Sequence, residues 1–286
     1  MSDQPSPAAP VAIVTDSACD LPVDVTDRLG IEVVPLTIRF GSEEFVDRVE
    51  LTPTEFWAKC ASSPTLPETA APAPGQFEDA YRRAAERGAP GVVVVNLSGA
   101  LSATMQSAQL AARSLAGEID VRVVDSRSVT LGEGMIAVEL ARRAEAGAGL
   151  DELEAAGHDL ARRGRVWGAL DTLENLRKGG RIGNARALLG TVLSIKPIVE
   201  VRDGVVEEGG KQRTRSKALA FLVEKVRSYG TITNLAVLHA DCTDVDQFVG
   251  MLQEQYTGEI VVGDIGPVIG THAGRGTIGV AFHLPA

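Results

Sequence analysis

Residues 92–125 read VVVVNLSGALSATMQSAQLAARSLAGEIDVRVVD, and this stretch contains the alternation that decides the fold. The β-branched run Val92–Asn96 predicts a buried strand, Ser102–Leu115 predicts an amphipathic helix, and Val121–Asp125 predicts a second strand. Strand, helix and strand in this order are typical of a parallel or mixed sheet covered by helices. The same alternation continues on both sides of this unit, so the sequence predicts an α/β protein.

The alternation falls into two regions of the chain. Strands are predicted at Val11–Thr15 in the first region and at Val166–Leu170 in the second. We therefore expect two α/β domains, over residues 11–163 and 164–286, preceded by a disordered tail over residues 1–10 that is rich in Pro, Ser and Ala. The interface between two such domains is a natural ligand site.

Local signals refine this prediction. Thr52–Glu55 has the spacing of a capping box and predicts the start of a helix. Arg202–Gly204 separates two apolar runs and predicts a hairpin. Ile31–Phe40 predicts a strand with an edge or bulge at its proline, whereas Ser62–Gly75 is rich in Pro, Thr and Ala and predicts an extended loop. Short helices are predicted around Leu173–Arg177 and Asn184–Leu193.

Composition excludes several classes of protein. The chain has 286 residues, of which 44% are hydrophobic and 23% charged, as in ordinary globular proteins. Its net charge of −10 disfavours general nucleic-acid binding, and no apolar run reaches the roughly 20 residues that cross a bilayer. The three cysteines lie far apart without a CxxC pair, which argues against a zinc site or a disulfide framework. We therefore expect a cytoplasmic protein without membrane insertion.

One segment matches a nucleotide-binding pattern but lacks its context. Gly274–Gly279 has the letters GxGxxG, yet a predicted strand follows where the dinucleotide fingerprint needs a helix. The sequence contains no P-loop, GxSxG or HExxH motif. These glycines therefore predict a tight turn, and we expect this chain alone not to bind ATP.

Three polar residues stand at positions where anions are often held. Ser102 opens a predicted helix, where its hydroxyl and the first free amides can meet an anion. Thr69 lies in the Pro-rich loop, and His272 lies in a predicted turn over residues 270–274, crowded by glycines. Each residue also has a plain structural explanation, as a helix cap or as an ordinary loop residue.

Acidic and basic residues leave similar alternatives open. Asp16, Asp125 and Asp171 each follow a predicted strand, where they can hold a metal or phosphoryl group or can cap turns and helices. Two basic clusters fit either a docking surface or a solvated face. Their members are Arg177, Lys178, Arg181 and Arg186, and Lys211, Arg213, Arg215 and Lys217.

The order of five motifs resembles the DegV family, and the resemblance runs from about Val11 to Phe282. These motifs are TDSACDLP at 15–22, TAAPAPGQF at 69–77, LSATMQSA at 101–108, LENLRKGGRI at 173–182 and GPVIGTHAG at 266–274. The resemblance implies two α/β domains with a ligand tunnel between them. It also implies a fatty-acid-binding protein that serves as the binding subunit of a bacterial fatty acid kinase.

In such a kinase a separate ATP-binding subunit phosphorylates the bound carboxylate. Carried over residue by residue, the resemblance makes Thr69, Ser102 and His272 the contacts of the fatty-acid carboxylate. Candidate kinase-docking or phosphate-facing residues are Arg177, Lys178 and Arg181. The resemblance implies no catalytic residue, no metal and no cofactor in this chain other than the long-chain fatty acid as ligand.

The chain departs from the family pattern near the expected head group. Ala70, Ala71 and Ala103 replace Ser, Gln and Gly, and Arg275 stands where proline is common, which places a cation near the expected site. Two other hypotheses stay open at this point. One is a lipid carrier or storage protein without a kinase partner, and the other is a metal-dependent phosphoryl or acyl transferase that uses Asp16 and Asp125.

Overall fold

The computed structural model describes residues 9–189 and 195–286, which form β-strands and helices in alternation. The strands are β1 Ala12–Asp16, β2 Glu32–Val34, β3 Thr37–Phe40, β4 Glu43–Val46, β5 Glu68–Ala70, β6 Val92–Asn96, β7 Val121–Asp125, β8 Gly164–Ala169, β9 Lys196–Arg202, β10 Val205–Gln212, β11 Thr233–His239, β12 Val261–Asp264 and β13 Ile278–His283. The α-helices are α1 Val23–Arg28, α2 Pro53–Ser62, α3 Pro74–Glu86, α4 Thr104–Ser114, α5 Leu131–Glu145, α6 Leu150–Arg163, α7 Glu174–Lys178, α8 Arg215–Ser228, α9 Val245–Gln253 and α10 Pro267–Ala273. Short 3-10 helices cover Ser17–Cys19 and Gly183–Leu188.

Three sheets organise these elements. A parallel sheet has the strand order β2-β1-β6-β7, and its strand β6 is buried along its whole length. A six-stranded mixed sheet has the order β10-β9-β8-β13-β11-β12, and an antiparallel sheet has the order β4-β3-β5. The α/β prediction is confirmed. Residues 12–125 supply the parallel and the three-stranded sheets, and residues 164–283 supply the six-stranded sheet, while the domain boundary near Gly164 stays a prediction.

Several local predictions are confirmed. Thr52 and Glu55 form the capping box at the start of helix α2. A hairpin joins β9 to β10 through Asp203 and Gly204, whose φ angles of 53° and 83° fit a two-residue turn. Residues 274–277 form the turn before β13, and a strand follows it as expected.

Other local predictions are wrong or fall outside the described residues. The stretch 31–40 is two strands in two sheets, because Pro35 has no N–H to continue a ladder. The predicted loop 62–75 contains strand β5, and the predicted turn 270–274 is mostly the last part of helix α10, which begins at a proline in the first helical position. The predicted disordered tail lies outside the described residues except for positions 9 and 10, as do residues 190–193 of the helix predicted at 184–193.

Strand β8 shows how the six-stranded sheet divides two apolar regions. Trp167 and Ala169 belong to a core on the side covered by helix α8, whereas Val166 and Leu170 belong to the apolar cluster on the opposite face. Alternate residues of a strand point to opposite faces, which accounts for this separation. Within the described part of the chain, no helix is both long enough and apolar enough to span a membrane.

Candidate functional site

An apolar cavity lies where the six-stranded sheet meets the N-terminal region. The space that it outlines outside protein atoms is about 850 Å³ when open solvent at its mouth is included. Aliphatic side chains of the sheet form one wall: Val166, Leu170, Val199, Val201, Val206 and Leu238. The N-terminal region supplies four further apolar lining residues: Leu36, Leu97, Leu101 and Val129. Such a wall can hold a long hydrocarbon, since burying apolar surface is favourable and needs no polar partner.

Six polar residues interrupt the apolar lining of the cavity. They are Thr69, Ser102, Thr130, Arg181, His272 and Thr277. Three of them, Thr69, Arg181 and His272, also line an adjoining, more polar basin, together with Asn175, Lys178 and the loop at residues 63–68. These three residues therefore stand where the apolar cavity meets the basin, which is the position suited to the head group of an amphiphile.

Thr69 and His272 meet although 203 positions separate them in the chain. The hydroxyl Oγ1 of Thr69 lies 3.2 Å from Nε2 of His272. Strand β5 places Thr69, since Thr69 pairs with Ile38 of strand β3. Helix α10 places His272 in its last turn. The missed strand and the missed helix are thus the two elements that bring these predicted residues together.

The imidazole of His272 is held in its neutral form. Burial and, to a smaller extent, the positive charge of Arg181 together lower the pKa of His272 from 6.5 to about 4. Nδ1 is buried without a hydrogen-bond partner among the described residues. A Cβ at Gly179 would lie 2.4 Å from this atom, so glycine is needed for the turn to approach the ring. A neutral ring of this kind can donate one hydrogen bond to a ligand oxygen.

Ser102 lies two residues before helix α4 rather than at its cap. Its Oγ accepts a hydrogen bond from the N–H of Thr104 at 3.2 Å and lies 2.9 Å from the Thr104 hydroxyl. The guanidinium of Arg181 donates to the carbonyl of Leu101 at 3.1 Å and to that of Gly179 at 2.7 Å. Arg181 therefore joins the loop that carries Ser102 to the turn that packs against His272.

Of the other two candidate docking residues, Lys178 borders the basin and Arg177 does not. Arg177 and Lys178 both pair with Glu174, at 3.3 and 3.0 Å, and both are about half exposed. The expectation for Arg275 is wrong, since this residue pairs with Asp241 at 2.5 Å and lines neither the cavity nor the basin.

The carboxylates of Asp16, Asp125 and Asp171, which follow strands, pair with backbone N–H groups or with a lysine. The buried carboxylate of Asp16 accepts hydrogen bonds from the N–H groups of Ala18 and Leu97, and burial raises its pKa to about 6. Asp125 accepts from the N–H of Gly99, and Asp171 pairs with a lysine. Over residues 9–189 and 195–286, no group of three or more His, Cys, Asp or Glu side chains is arranged to hold a metal ion.

Comparison with known proteins places this arrangement in a family. The chain matches the family model described as an uncharacterised protein of the DegV family over residues 10–284. A DegV domain-containing protein of Streptomyces coelicolor is 38% identical over 275 residues, which cover 94% of this chain and 97% of that protein.

Solved structures agree with this match. A DegV family protein from Thermus thermophilus, described as binding fatty acid, is 35% identical with a TM-score of 0.88, covering 96% of this chain and 100% of that one. DegV from Bacillus subtilis, described as a fatty acid binding protein, is 27% identical with a TM-score of 0.85, covering 97% and 100%. Fold and site define an α/β protein built around an apolar cavity with a polar mouth. The chain belongs to the DegV family.

Proposed function

We propose that this chain binds a long-chain fatty acid in the apolar cavity and presents its carboxylate to a separate ATP-dependent kinase subunit. The carboxylate lies against Thr69, Ser102 and His272, and its oxygen attacks the γ-phosphate of ATP held by the partner, which gives acyl phosphate and releases ADP. The observation that carries this proposal is the junction at Thr69 and His272, where an aliphatic wall ends in hydrogen-bonding groups and a polar basin begins. The relatives described as fatty-acid-binding support the ligand class.

The apolar wall and the polar mouth make different contributions to the binding free energy. Burying about 16 methylenes at about 0.8 kcal/mol each gives roughly 13 kcal/mol of gross driving force. Each hydrogen bond to a carboxylate contributes about 1.5–3 kcal/mol. The wall therefore sets most of the affinity, and the polar groups set the position of the carboxylate.

The neutral state of His272 suits the transfer of a phosphoryl group to the carboxylate. A neutral imidazole donates a hydrogen bond without adding a full positive charge beside the attacking oxygen. The cationic side chains of Lys178 and Arg181 line the basin and attract the phosphates of the incoming nucleotide. Catalysis of phosphoryl transfer depends largely on positioning and electrostatic stabilisation, which this arrangement supplies from the acceptor side.

The ligand is tested by organic extraction and mass spectrometry of the purified protein, followed by palmitate titration of the delipidated chain. We expect stoichiometric long-chain fatty acid and tight uptake of palmitate. Thr69→Val should weaken binding, whereas the control Thr65→Val, on the basin loop, should not. A protein that contains no lipid and takes up none would overturn the proposal.

The kinase role has a separate test. The palmitate-loaded chain is mixed with the ATP-binding subunit of a bacterial fatty acid kinase and ATP, and acyl phosphate is trapped with hydroxylamine. We expect product that depends on both proteins. In the contrary outcome, palmitate binds but receives no phosphoryl group from ATP with any kinase subunit of the same cell. That outcome would make the chain a carrier or storage protein and refute the kinase role alone.

A further inference from the structure

The motif TDSACDLP at residues 15–22 supplies no residue to the cavity wall or the basin. Its second aspartate, Asp20, is buried and lies far in sequence from the residues at the mouth of the cavity. The Oδ1 of Asp20 accepts hydrogen bonds from the backbone N–H of Gly266 and from the guanidinium of Arg48, both at 2.9 Å. Gly266 is the residue that caps the start of helix α10, the helix that carries His272.

Arg48 holds the Asp20 carboxylate and two backbone carbonyls near the start of helix α10. Its guanidinium also donates to the carbonyl of Leu21 at 3.0 Å and to that of Asp264, at the end of strand β12, at 3.3 Å. A Cβ at Gly266 would lie 2.8 Å from Asp20 Oδ1 and 3.0 Å from the Arg48 guanidinium. Glycine therefore lets the carboxylate and the guanidinium reach the helix start together.

Helix α10 is short and is held at both ends. Its seven residues rise about 10 Å at 1.5 Å per residue, so a shift at its first residue is carried to its last turn. At the far end, the Asn175 side chain donates to the Thr271 carbonyl at 3.2 Å, and Gly179 packs against the ring of His272. At the start of the helix, the Asp20 carboxylate accepts the hydrogen bond from the Gly266 N–H.

We propose that Asp20 and Arg48 are positioning residues that fix the start of helix α10 and thereby place His272 at the mouth of the cavity. Both adopt left-handed backbone conformations, with φ of 53° and 62°, which non-glycine residues rarely adopt unless their surroundings hold them there. This role deepens the proposed function, because it rests on His272 contacting the fatty-acid carboxylate.

The test observes His272 directly and needs no ligand. Imidazole signals of the delipidated chain are recorded by NMR, and those of His272 are assigned by their loss in His272→Gln. Asp20→Ala should move the His272 signals and raise the pKa of that ring, whereas Asp20→Asn should keep most of the wild-type spectrum because its carbonyl can still accept from the Gly266 N–H. Palmitate affinity should fall about tenfold in Asp20→Ala and recover in Asp20→Asn.

Asp203→Ala is a control for the loss of a carboxylate that has the same backbone conformation and an arginine partner but is exposed. Asp203 also has a φ of 53° and pairs with an arginine, Arg127, at 2.9 Å, but it lies in the β9–β10 hairpin and not beside helix α10. We expect it to leave the His272 signals and palmitate affinity unchanged. A shift of the same size in Asp203→Ala would show that the response is not specific to Asp20 and would contradict the proposal.

Arg48→Lys covers the case in which Asp20→Ala does not fold. Lysine keeps the charge but cannot reach the Asp20 carboxylate and both carbonyls at once, so a smaller shift of the same signals is expected. Unmoved His272 signals in a folded Asp20→Ala, or in Arg48→Lys where Asp20→Ala is unfolded, would overturn the positioning role. Moved signals in a chain that takes up no fatty acid would refute the proposed function and leave the positioning role standing.

Discussion

The two faces of strand β8 are both apolar, but one packs against a helix and the other lines the cavity. Trp167 and Ala169 belong to a core closed by helix α8, and Lys225 lies 4.5 Å above the Trp167 ring. Val166 and Gly168 of the opposite face line the cavity, as does Leu170 directly after the strand. Apolar residues thus stabilise the fold on one face and line the proposed ligand site on the other.

The difference lies in what fills the space beside each face. Side chains beside a cavity lose dispersion contacts that packed side chains keep. A hydrocarbon ligand supplies those contacts, and by mass action it stabilises the folded state to which it binds. We therefore expect substitutions on the packed face to change stability, and substitutions on the cavity face to change ligand affinity.

The largest effect is expected on the packed face. Trp167→Ala removes a large side chain that is only 4% exposed, and it should lower the free energy of unfolding by about 3–5 kcal/mol. Palmitate affinity should stay within about twofold, because the removed ring does not line the cavity. Urea unfolding followed by circular dichroism measures the first quantity and palmitate titration the second. Equal losses in both would show that the two faces are coupled.

A substitution on the cavity face should do the reverse. Gly168→Leu places four carbons in the cavity and displaces about four methylenes, a loss of roughly 3 kcal/mol at about 0.8 kcal/mol each. Palmitate affinity should therefore fall about two hundredfold, with little change in the stability of the delipidated chain. Gly168→Ala is the control, since its Cβ would meet neighbours at ordinary distances of 3.5 Å or more. Unchanged palmitate affinity in Gly168→Leu would remove this face from the ligand site.

The comparison also shows what sequence patterns can specify. Alternating apolar runs predict strand β8 and the sheet around it, because the periodicity of a strand is local. The same pattern cannot separate Trp167 from Gly168, since packed and cavity-lining residues are both apolar. Only the tertiary arrangement decides which face is filled.

Local motifs single out Ser102, Thr69 and His272, and the structure brings all three to one cavity. Their contact with a fatty-acid carboxylate stays a prediction. Strand β5 was missed because three residues in a Pro-rich stretch carry no periodic signal, and their pairing with β3 is a tertiary contact. The Gly266-Pro267 pair is a helix-start signal that would have found helix α10.

Substitution of Ser102 separates the contribution of the polar mouth from that of the apolar wall. Ser102→Ala removes one hydroxyl and leaves the aliphatic wall intact, so palmitate binding should weaken by about 2 kcal/mol, within the 1.5–3 kcal/mol range for a hydrogen bond to a charged group. Acyl phosphate formation should fall further than binding does, because small misplacement of the carboxylate disrupts an in-line transfer. The control is Ser228→Ala, at the end of helix α8. Equal losses of binding and transfer would mean that Ser102 only anchors the ligand.

The smallest effect concerns two histidines that burial keeps neutral, His272 at the mouth and His283 in strand β13. Burial lowers the pKa of each from 6.5 to about 4. Between these values the unfolded chain binds more protons than the folded one, so the free energy of unfolding falls as the pH decreases from 6.5 toward 4. From pH 6.5 to 5.5 each histidine should contribute a loss of at most about 1 kcal/mol.

Differences between variants isolate this contribution from that of the buried acids. Burial raises the pKa of Asp16 to about 6 and that of Asp47 to about 7, which makes stability rise on acidification and opposes the histidines in the wild-type curve. His272→Gln and His283→Gln should each reduce the acid sensitivity of unfolding relative to wild type. Palmitate then distinguishes the two, because a carboxylate beside His272 raises the pKa of that ring alone. An NMR titration in which palmitate moves both pKa values equally, or neither, would contradict the placement of the head group at His272.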